Sequence, residues 1–305
     1  MFENCECSDT VSLAGCTATD LGVADAATIV ERQAPSRQLR IGAGRIEIRS
    51  AGLSACEDGH VSASRPEPFL KRYATPIQTL MTLGLYVELS VLGGIAAAPG
   101  LWVFGCVERA AAAWPSWLRL VALGTGGFLG YFTFTLCLAL VAGLFRRLTF
   151  AGSPLGTFPY YSVKGIRWAS YNATILLVRY ACINWMRVTP FIVVFHRLMG
   201  MKIGRRVQIN TAVIGDSNLI EIGDDTVIGG DVTLVAHSAE RGNLVTGRVK
   251  IGSNVTVGLM AMIMPGVEIG DGAVIAANAF LAKDTKVGPG EMWAGIPARC
   301  ISPPA

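Results

Sequence analysis

Residues 251–287 read IGSNVTVGLMAMIMPGVEIGDGAVIAANAFLAKDTKV, and every sixth position is aliphatic: Ile251, Val257, Ile263, Ile269, Ile275, Leu281 and Val287. Upstream, Ile222, Ile228 and Leu234 keep the same step, and Ile203 and Ile209 begin it. Gly or Ala often follows the aliphatic residue, as at Gly223, Gly252, Gly258, Gly270 and Ala276. Four residues past it sits a small or β-branched side chain, such as Val255, Ala261, Val267 and Ala273. A period of six is neither that of a helix nor that of a strand, so it belongs to a repeated architecture. It predicts a triangular parallel β-helix in which each hexad is one short strand and one corner. The aliphatic side chain points inward and stacks on its counterpart one coil away, at roughly 4.8 Å. At about three hexads per coil, residues 203–301 hold roughly five coils. The glycines after the aliphatic positions are read as supplying backbone freedom at the corners.

The rest of the chain is unusually apolar. Of its 305 residues 51% are hydrophobic and only 16% charged, with a mean hydropathy of +0.46, which is too charge-poor for an ordinary soluble protein. The net charge of +4 does not suggest a nucleic-acid partner. The eight cysteines include no C-x-x-C pair, so neither a disulfide scaffold nor a zinc site is expected, and free thiols in a reducing compartment are. No apolar run resembling a signal peptide appears in the first 30 residues.

Two stretches, 89–107 and 120–145, carry no charge and are long enough to cross about 30 Å of hydrocarbon. The short link between them, with Arg109 and Arg119, predicts an antiparallel hairpin. Lys71 and Arg72 precede it and Arg146 and Arg147 follow it, which places both ends in the cytoplasm. Gly124, Gly126, Gly127 and Gly130 offer close helix contact. Glu88 is read either as an intramembrane acid or as an interfacial one. Residues 148–200 mix aromatic residues with Arg179, Arg187 and Arg197 and suit an interfacial helical bridge or a helix packed on the β-helix. His196 is assigned to the interface. Residues 1–69 are expected to be a poorly ordered tail or the worn end of another β-helix, with residues 41–46 as a lone hexad.

Residues 265–275, PGVEIGDGAVI, and Ala294-Gly295-Ile296-Pro297-Ala298-Arg299 resemble the repeat signature and the C-terminal closure of the hexapeptide-repeat acyltransferases. That resemblance implies a left-handed coil. The lead-in Phe195-His196-Arg197-Leu198-Met199-Gly200-Met201-Lys202-Ile203-Gly204 is similar to the membrane-associated C-terminal units of ε-poly-lysine-synthetase-type peptide synthetases. The likeness covers roughly residues 70–301, with no adenylation or carrier domain.

The repeat breaks between Leu234 and Ile251, a step of 17 where three hexads need 18, and residues 235–250 read as a polar loop on a rigid scaffold. By the resemblance, Leu244-Val245-Thr246 and Val249-Lys250-Ile251-Gly252 align with the run that follows the family's catalytic histidine, which places His237 there. An imidazole titrates near neutrality and suits a general base that activates a hydroxyl or amine. Glu240 is read either as the residue orienting that ring or as a solvated charge. Backbone N–H groups around Gly258 are the candidate oxyanion donors. By the resemblance, Lys283 and Arg299 match cationic positions for the phosphates of acyl-CoA, or else are solubilising surface charges, and Trp293 is placed either against the pantetheine or adenine or as a cap on the end of the coil. Leu259 and Met260 depart from the family's small residues at that point. A γ-carbonic anhydrase reading would need three histidine ligands, and the repeat region holds only His237.

The expected organisation is therefore an all-β left-handed parallel β-helix at 201–301, behind two transmembrane helices at 70–147 and a bridge at 148–200. The expected function is membrane-anchored acyl transfer, acetyl first, from acyl-CoA to a hydroxyl or amine on a small-molecule acceptor or on a cell-envelope or lipid-linked precursor, with no metal. The resemblance implies a homotrimer. Membrane lipids are the other partner, the protein is placed in the inner membrane as a multi-pass chain, and the coil is placed on the cytoplasmic side. The alternatives are a synthetase-type unit that forms amide bonds and a non-catalytic membrane scaffold.

Overall fold

The computed structural model describes residues 37–42, 45–50, 73–149 and 152–302. The chain divides into two units, Met1–Ser62 and Ala63–Ala305. The described part of the first unit is an antiparallel pair, β1 (Arg37–Gly42) and β2 (Arg45–Ser50). Ile41 faces Ile46 across that pair, so these two residues form a hairpin and not a parallel coil. The remaining expectations for residues 1–69 lie outside the described residues.

The second unit opens with two long helices, α1 (Ala74–Ala110) and α2 (Ser116–Thr149). Both are long and apolar enough to cross a membrane, and Leu80, Leu83, Val87, Val91, Leu101 and Trp102 on α1 face outward. Gly126 and Gly130 set the crossing: an added Cβ would come within 2.9 Å of Val107 and 2.7 Å of the Gly100 carbonyl oxygen. Gly124 and Gly127 have nothing within 4 Å and take no part. At the base of the pair, Arg146 is buried and forms an ion pair with Glu88. Its charge is thus satisfied inside the protein and is weaker as an orientation signal than the sequence implied.

The bridge is a strand, β3 (Gly156–Pro159), and then α3 (Val163–Val178), which runs through a π-helical turn (Arg179–Ile183) and a last turn to Met186. Ser162 caps α3 by accepting from Gly165 N at 3.1 Å. Helix α4 (Pro190–Leu198) follows. These helices sit between α2 and the coils. Tyr131 Oη donates to Ala181 O at 2.7 Å on one side. On the other, Tyr171, Ile175, Ile183, Ile192 and Phe195 are buried in one continuous cluster with Ile209, Ile214 and Ile220. Of the two readings of the bridge, packing on the β-helix is what these contacts describe.

His196 is correspondingly a core residue and not an interfacial one: it is fully buried, with Nδ1 2.9 Å from Ser217 Oγ. Burial disfavours its charged form and pushes its pKa down to about 3. The unfolded chain takes up a proton near pH 6.5 that the folded chain refuses. Stability is therefore complete above that pH and is lost as pH falls from 6.5 toward 3. Thermal or denaturant unfolding should show a loss of about 1 kcal/mol between pH 6.5 and 5.5. The His196→Leu variant should flatten that slope; an unchanged slope would remove His196 as its source.

From residue 202 the chain coils. β4 (Lys202–Ile203), β6 (Ile220–Ile222), β11 (Val249–Ile251), β14 (Glu268–Ile269) and β17 (Lys286–Val287) form the first sheet. β5 (Gln208–Ile209), β7 (Val227–Ile228), β12 (Thr256–Val257), β15 (Val274–Ile275) and β18 (Met292–Gly295) form the second, closed by antiparallel β19 (Ala298–Ser302). β8 (Thr233–Leu234), β13 (Met262–Ile263) and β16 (Phe280–Leu281) form the third. Consecutive coils pair in parallel with no register slip, Ile222 to Ile251 to Ile269 to Val287. The stacked aliphatic residues are buried, each contributing about 1.5–3 kcal/mol of transfer free energy.

The corners correct the reading of the glycines. Positive φ recurs every sixth residue at Asn254, Met260, Gly266, Gly272, Asn278, Asp284 and Gly290, where Gly, Asn and Asp tolerate the left-handed region. Gly258 and Gly270 are not among the positive-φ residues. They are there for space: a Cβ would lie 2.5 Å from the backbone nitrogens of Ala277 and Pro289 in the next coil. Met260 is the misfit, with φ 56° and its side chain 57% exposed. Met260→Asn should raise the melting temperature by relieving about 1 kcal/mol of backbone strain; a lowered melting temperature would show that the methionine contributes more than its backbone loses.

Candidate active site

The site lies where the chain leaves the third sheet for the first. Residues 235–250 are not an open loop. They hold an antiparallel hairpin, β9 (His237–Glu240) and β10 (Asn243–Thr246), turned at Arg241 and Gly242, both with positive φ, as a two-residue hairpin requires. β10 pairs on its other edge with β3, so the order is β3-β10-β9. His237 lies opposite Thr246, and Thr246 opposite Gly156. Thr246 Oγ1 donates to Pro154 O at 2.8 Å. The histidine-bearing strand is thus held by a segment that precedes the coils by some fifty residues.

His237 Nδ1–H donates to Asp216 Oδ2. Asp216 is fully buried, on a backbone with φ 51°, and its Oδ1 accepts from Ser153 Oγ at 2.5 Å and from Asn172 Nδ2 at 2.9 Å. Burial alone would raise its pKa. The bonds from His237, Ser153 and Asn172 outweigh burial and hold the carboxyl below the usual range. The carboxylate fixes the proton on Nδ1 and leaves Nε2 as the basic nitrogen. Trp168 on α3 stands edge-on to the imidazole, with centroids 4.9 Å apart and planes at 73°.

Of the two readings of Glu240, its contacts describe the loop charge and not the residue that orients the imidazole. Glu240 accepts from Ser238 Oγ at 2.8 Å and forms an ion pair with Lys283. Those bonds, Lys283 first, hold its carboxylate below the usual range. The partner of the imidazole, Asp216, was missed. Its signal was present, because Ile209 to Ile222 is a step of 13 where two hexads need 12. The surplus residue makes the turn that carries Asp216.

Gly258 N–H donates to Ile275 O at 2.7 Å. It is part of the inter-coil ladder and is not a free oxyanion donor. Lys283 lies near the hairpin through Glu240. Trp293, on β18, donates Nε1–H to Glu291 Oε2 at 2.8 Å and packs on the end of the core. Arg299 is exposed on β19. Gly258 lies at the corner between the second and third sheets, whereas Lys283, after the third sheet, shares the corner that carries the His237 hairpin. A separate concavity of about 590 Å³ runs along the first sheet, lined by Lys202, Glu221, Lys250, Glu268 and Lys286. Its charges alternate coil by coil, and it contains none of the site residues. Among the described residues no cluster of three or more His, Cys, Asp or Glu could hold a metal ion.

A parallel triangular coil of stacked hexads, with a carboxylate-held imidazole at one rim, is the class of protein that the fold defines. Residues 248–283 match the family described as bacterial transferase hexapeptide (six repeats). YvoF of Bacillus subtilis (strain 168), which carries an acetyltransferase name, is 35% identical over 122 residues, 38% of this chain and 70% of YvoF. Galactoside O-acetyltransferase of Escherichia coli (strain K12) is 36% identical over 107 residues, 32% of this chain and 52% of that protein. Delta-poly-L-ornithine synthetase of Acinetobacter baumannii (strain AB307-0294) is 26% identical over 180 residues, 59% of this chain but 13% of the synthetase. The chain belongs to the hexapeptide-repeat transferases, whose coil is a left-handed β-helix.

Proposed function

We propose that the protein transfers an acyl group, acetyl in the first instance, from acyl-CoA to a hydroxyl or amine acceptor. The observation that carries this reading is the Asp216–His237 pair on a hexapeptide coil. His237 Nε2 takes the acceptor's proton as its oxygen or nitrogen attacks the thioester carbonyl. The tetrahedral adduct collapses, the C–S bond breaks, and the imidazolium returns the proton to the departing thiolate. Asp216 stabilises the imidazolium in between. Lys283 and Arg299 are assigned to the donor's phosphates and Trp293 to its pantetheine or adenine. By the resemblance to the hexapeptide-repeat acyltransferases, the protein assembles as a homotrimer in which a neighbouring copy completes the site.

The two apolar helices anchor the protein in the inner membrane. Lys71, Arg72 and Arg147 favour a cytoplasmic coil. A second reading, amide-bond formation on an amino-acid acceptor, is favoured by the 180-residue match to the synthetase and would use the same base. The test is thiol release from acetyl-CoA by the purified full chain, with hydroxyl and amine acceptors screened separately. Release that depends on an acceptor is expected. No release with any acceptor, together with no CoA binding, would favour the scaffold alternative.

A further inference from the structure

The wall beside the imidazole is aromatic, and it comes from outside the coil. Trp168 touches His237. Tyr160 lies 6.2 Å from Trp168 and Tyr161 lies 5.3 Å from Tyr160, each at an edge-to-face angle. The three rings thus form one chain of contacts beside the base, in which Tyr160 is 40% exposed. Around them Leu155, Val163 and Ile166 face outward, with Lys164 between the last two.

This surface is fastened to the base of the helical hairpin. Arg146 donates to both Ser170 O and Ser170 Oγ at 2.8 Å, two residues along α3 from Trp168. On the same helix Asn172 donates to Asp216. The reacting imidazole therefore stands a few hydrogen bonds from the root of α2. Aromatic rings, exposed aliphatic residues and a lysine at the root of an apolar helix pair are the composition of a lipid–water interface.

We propose that the acceptor is an amphiphile. A polar head would carry the hydroxyl or amine to His237 Nε2, and an apolar tail would lie along Trp168, Tyr160 and Tyr161 toward the hairpin. This deepens the acyltransferase reading and rests on it. Tyr160 and Tyr161 are then specificity-determining residues, and Trp168 bridges the tail site and the base.

The test uses the full chain in phospholipid nanodiscs with acetyl-CoA. Acceptors of one head and two tails are compared: methyl and dodecyl glucoside for the hydroxyl, methyl and dodecyl lysine esters for the amine. The dodecyl member should be preferred in kcat/KM by at least about tenfold, which two buried methylenes already supply. Tyr160→Ala should reduce that ratio. Equal kcat/KM for the two tails, or a preference untouched by Tyr160→Ala, overturns the inference and leaves acyl transfer standing. Independently of turnover, a dodecyl glucoside with a diazirine on its first tail carbons should label residues 155–168 on irradiation. Label confined to the outer faces of α1 and α2 overturns the inference. Label at 155–168 without acyl transfer to any acceptor would retain the amphiphile site and remove the acyltransferase reading.

Discussion

His237→Asn is expected to lower kcat for acyl transfer by about 10²- to 10⁴-fold, the range that a positioned general base contributes. Asparagine is close in size and keeps β9 paired with β10, so the melting temperature should move little. The loss should fall on kcat and leave acetyl-CoA affinity near that of the native protein, because the ring is assigned to the acceptor's proton and not to the donor. Thiol release and calorimetric CoA binding, measured on the same preparation, separate the two effects. Turnover that survives the change undiminished would remove His237 as the base and with it the acyl-transfer mechanism drawn above.

Asp216→Asn tests the second half of the pair and should cost kcat nearly as much, about 10²-fold or more. The substituted amide can keep its oxygen on Ser153 and Asn172 and turn its NH₂ toward Nδ1. That orientation satisfies every local partner but forces the ring proton to Nε2, the wrong tautomer for a base. The expected signature is a folded protein that binds CoA and barely turns over. The pH dependence has its own sign. The native carboxyl is depressed in the folded state, so the stability it contributes is present above the unfolded value of about 3.9 and is lost as pH falls through the folded value. Asp216→Asn should therefore show a shallower fall in stability below about pH 4. An unaltered rate would mean that the imidazole needs no carboxylate.

The coil was legible because its chemistry is local and repeated. An aliphatic residue must face inward at every strand, so Ile251, Val257 and Ile263 declare the sheets they belong to. The site was half legible. His237 stood in the shorter break of the repeat, but Asp216 lies 21 residues away and meets it only because one coil stacks on the next. Glu240 was a candidate to orient the ring because it is near in sequence. In an extended strand, however, residues three apart face opposite sides, so it turned to Ser238 and Lys283. Ser153 and Asn172 were beyond reach for the same reason: nothing in a hexad pattern announces that an upstream segment will supply donors. His196 was misplaced because Arg197 beside it is exposed, and one helical step separates the buried stripe from the wet one.

The added strand β3 has a consequence for how this protein can be divided. The β9–β10 ribbon that carries His237 takes its outer edge, and Asp216 takes two of its donors, from residues 153–172. A cut at residue 200 would look natural on the repeat pattern, yet it would release a soluble coil with a frayed ribbon and an under-solvated aspartate. Recombination that swaps such coils between proteins would have to carry the preceding fifty residues along, and those residues are rooted in the helical pair. The His237 ribbon and the apolar helical pair are thus inherited together, not as interchangeable parts.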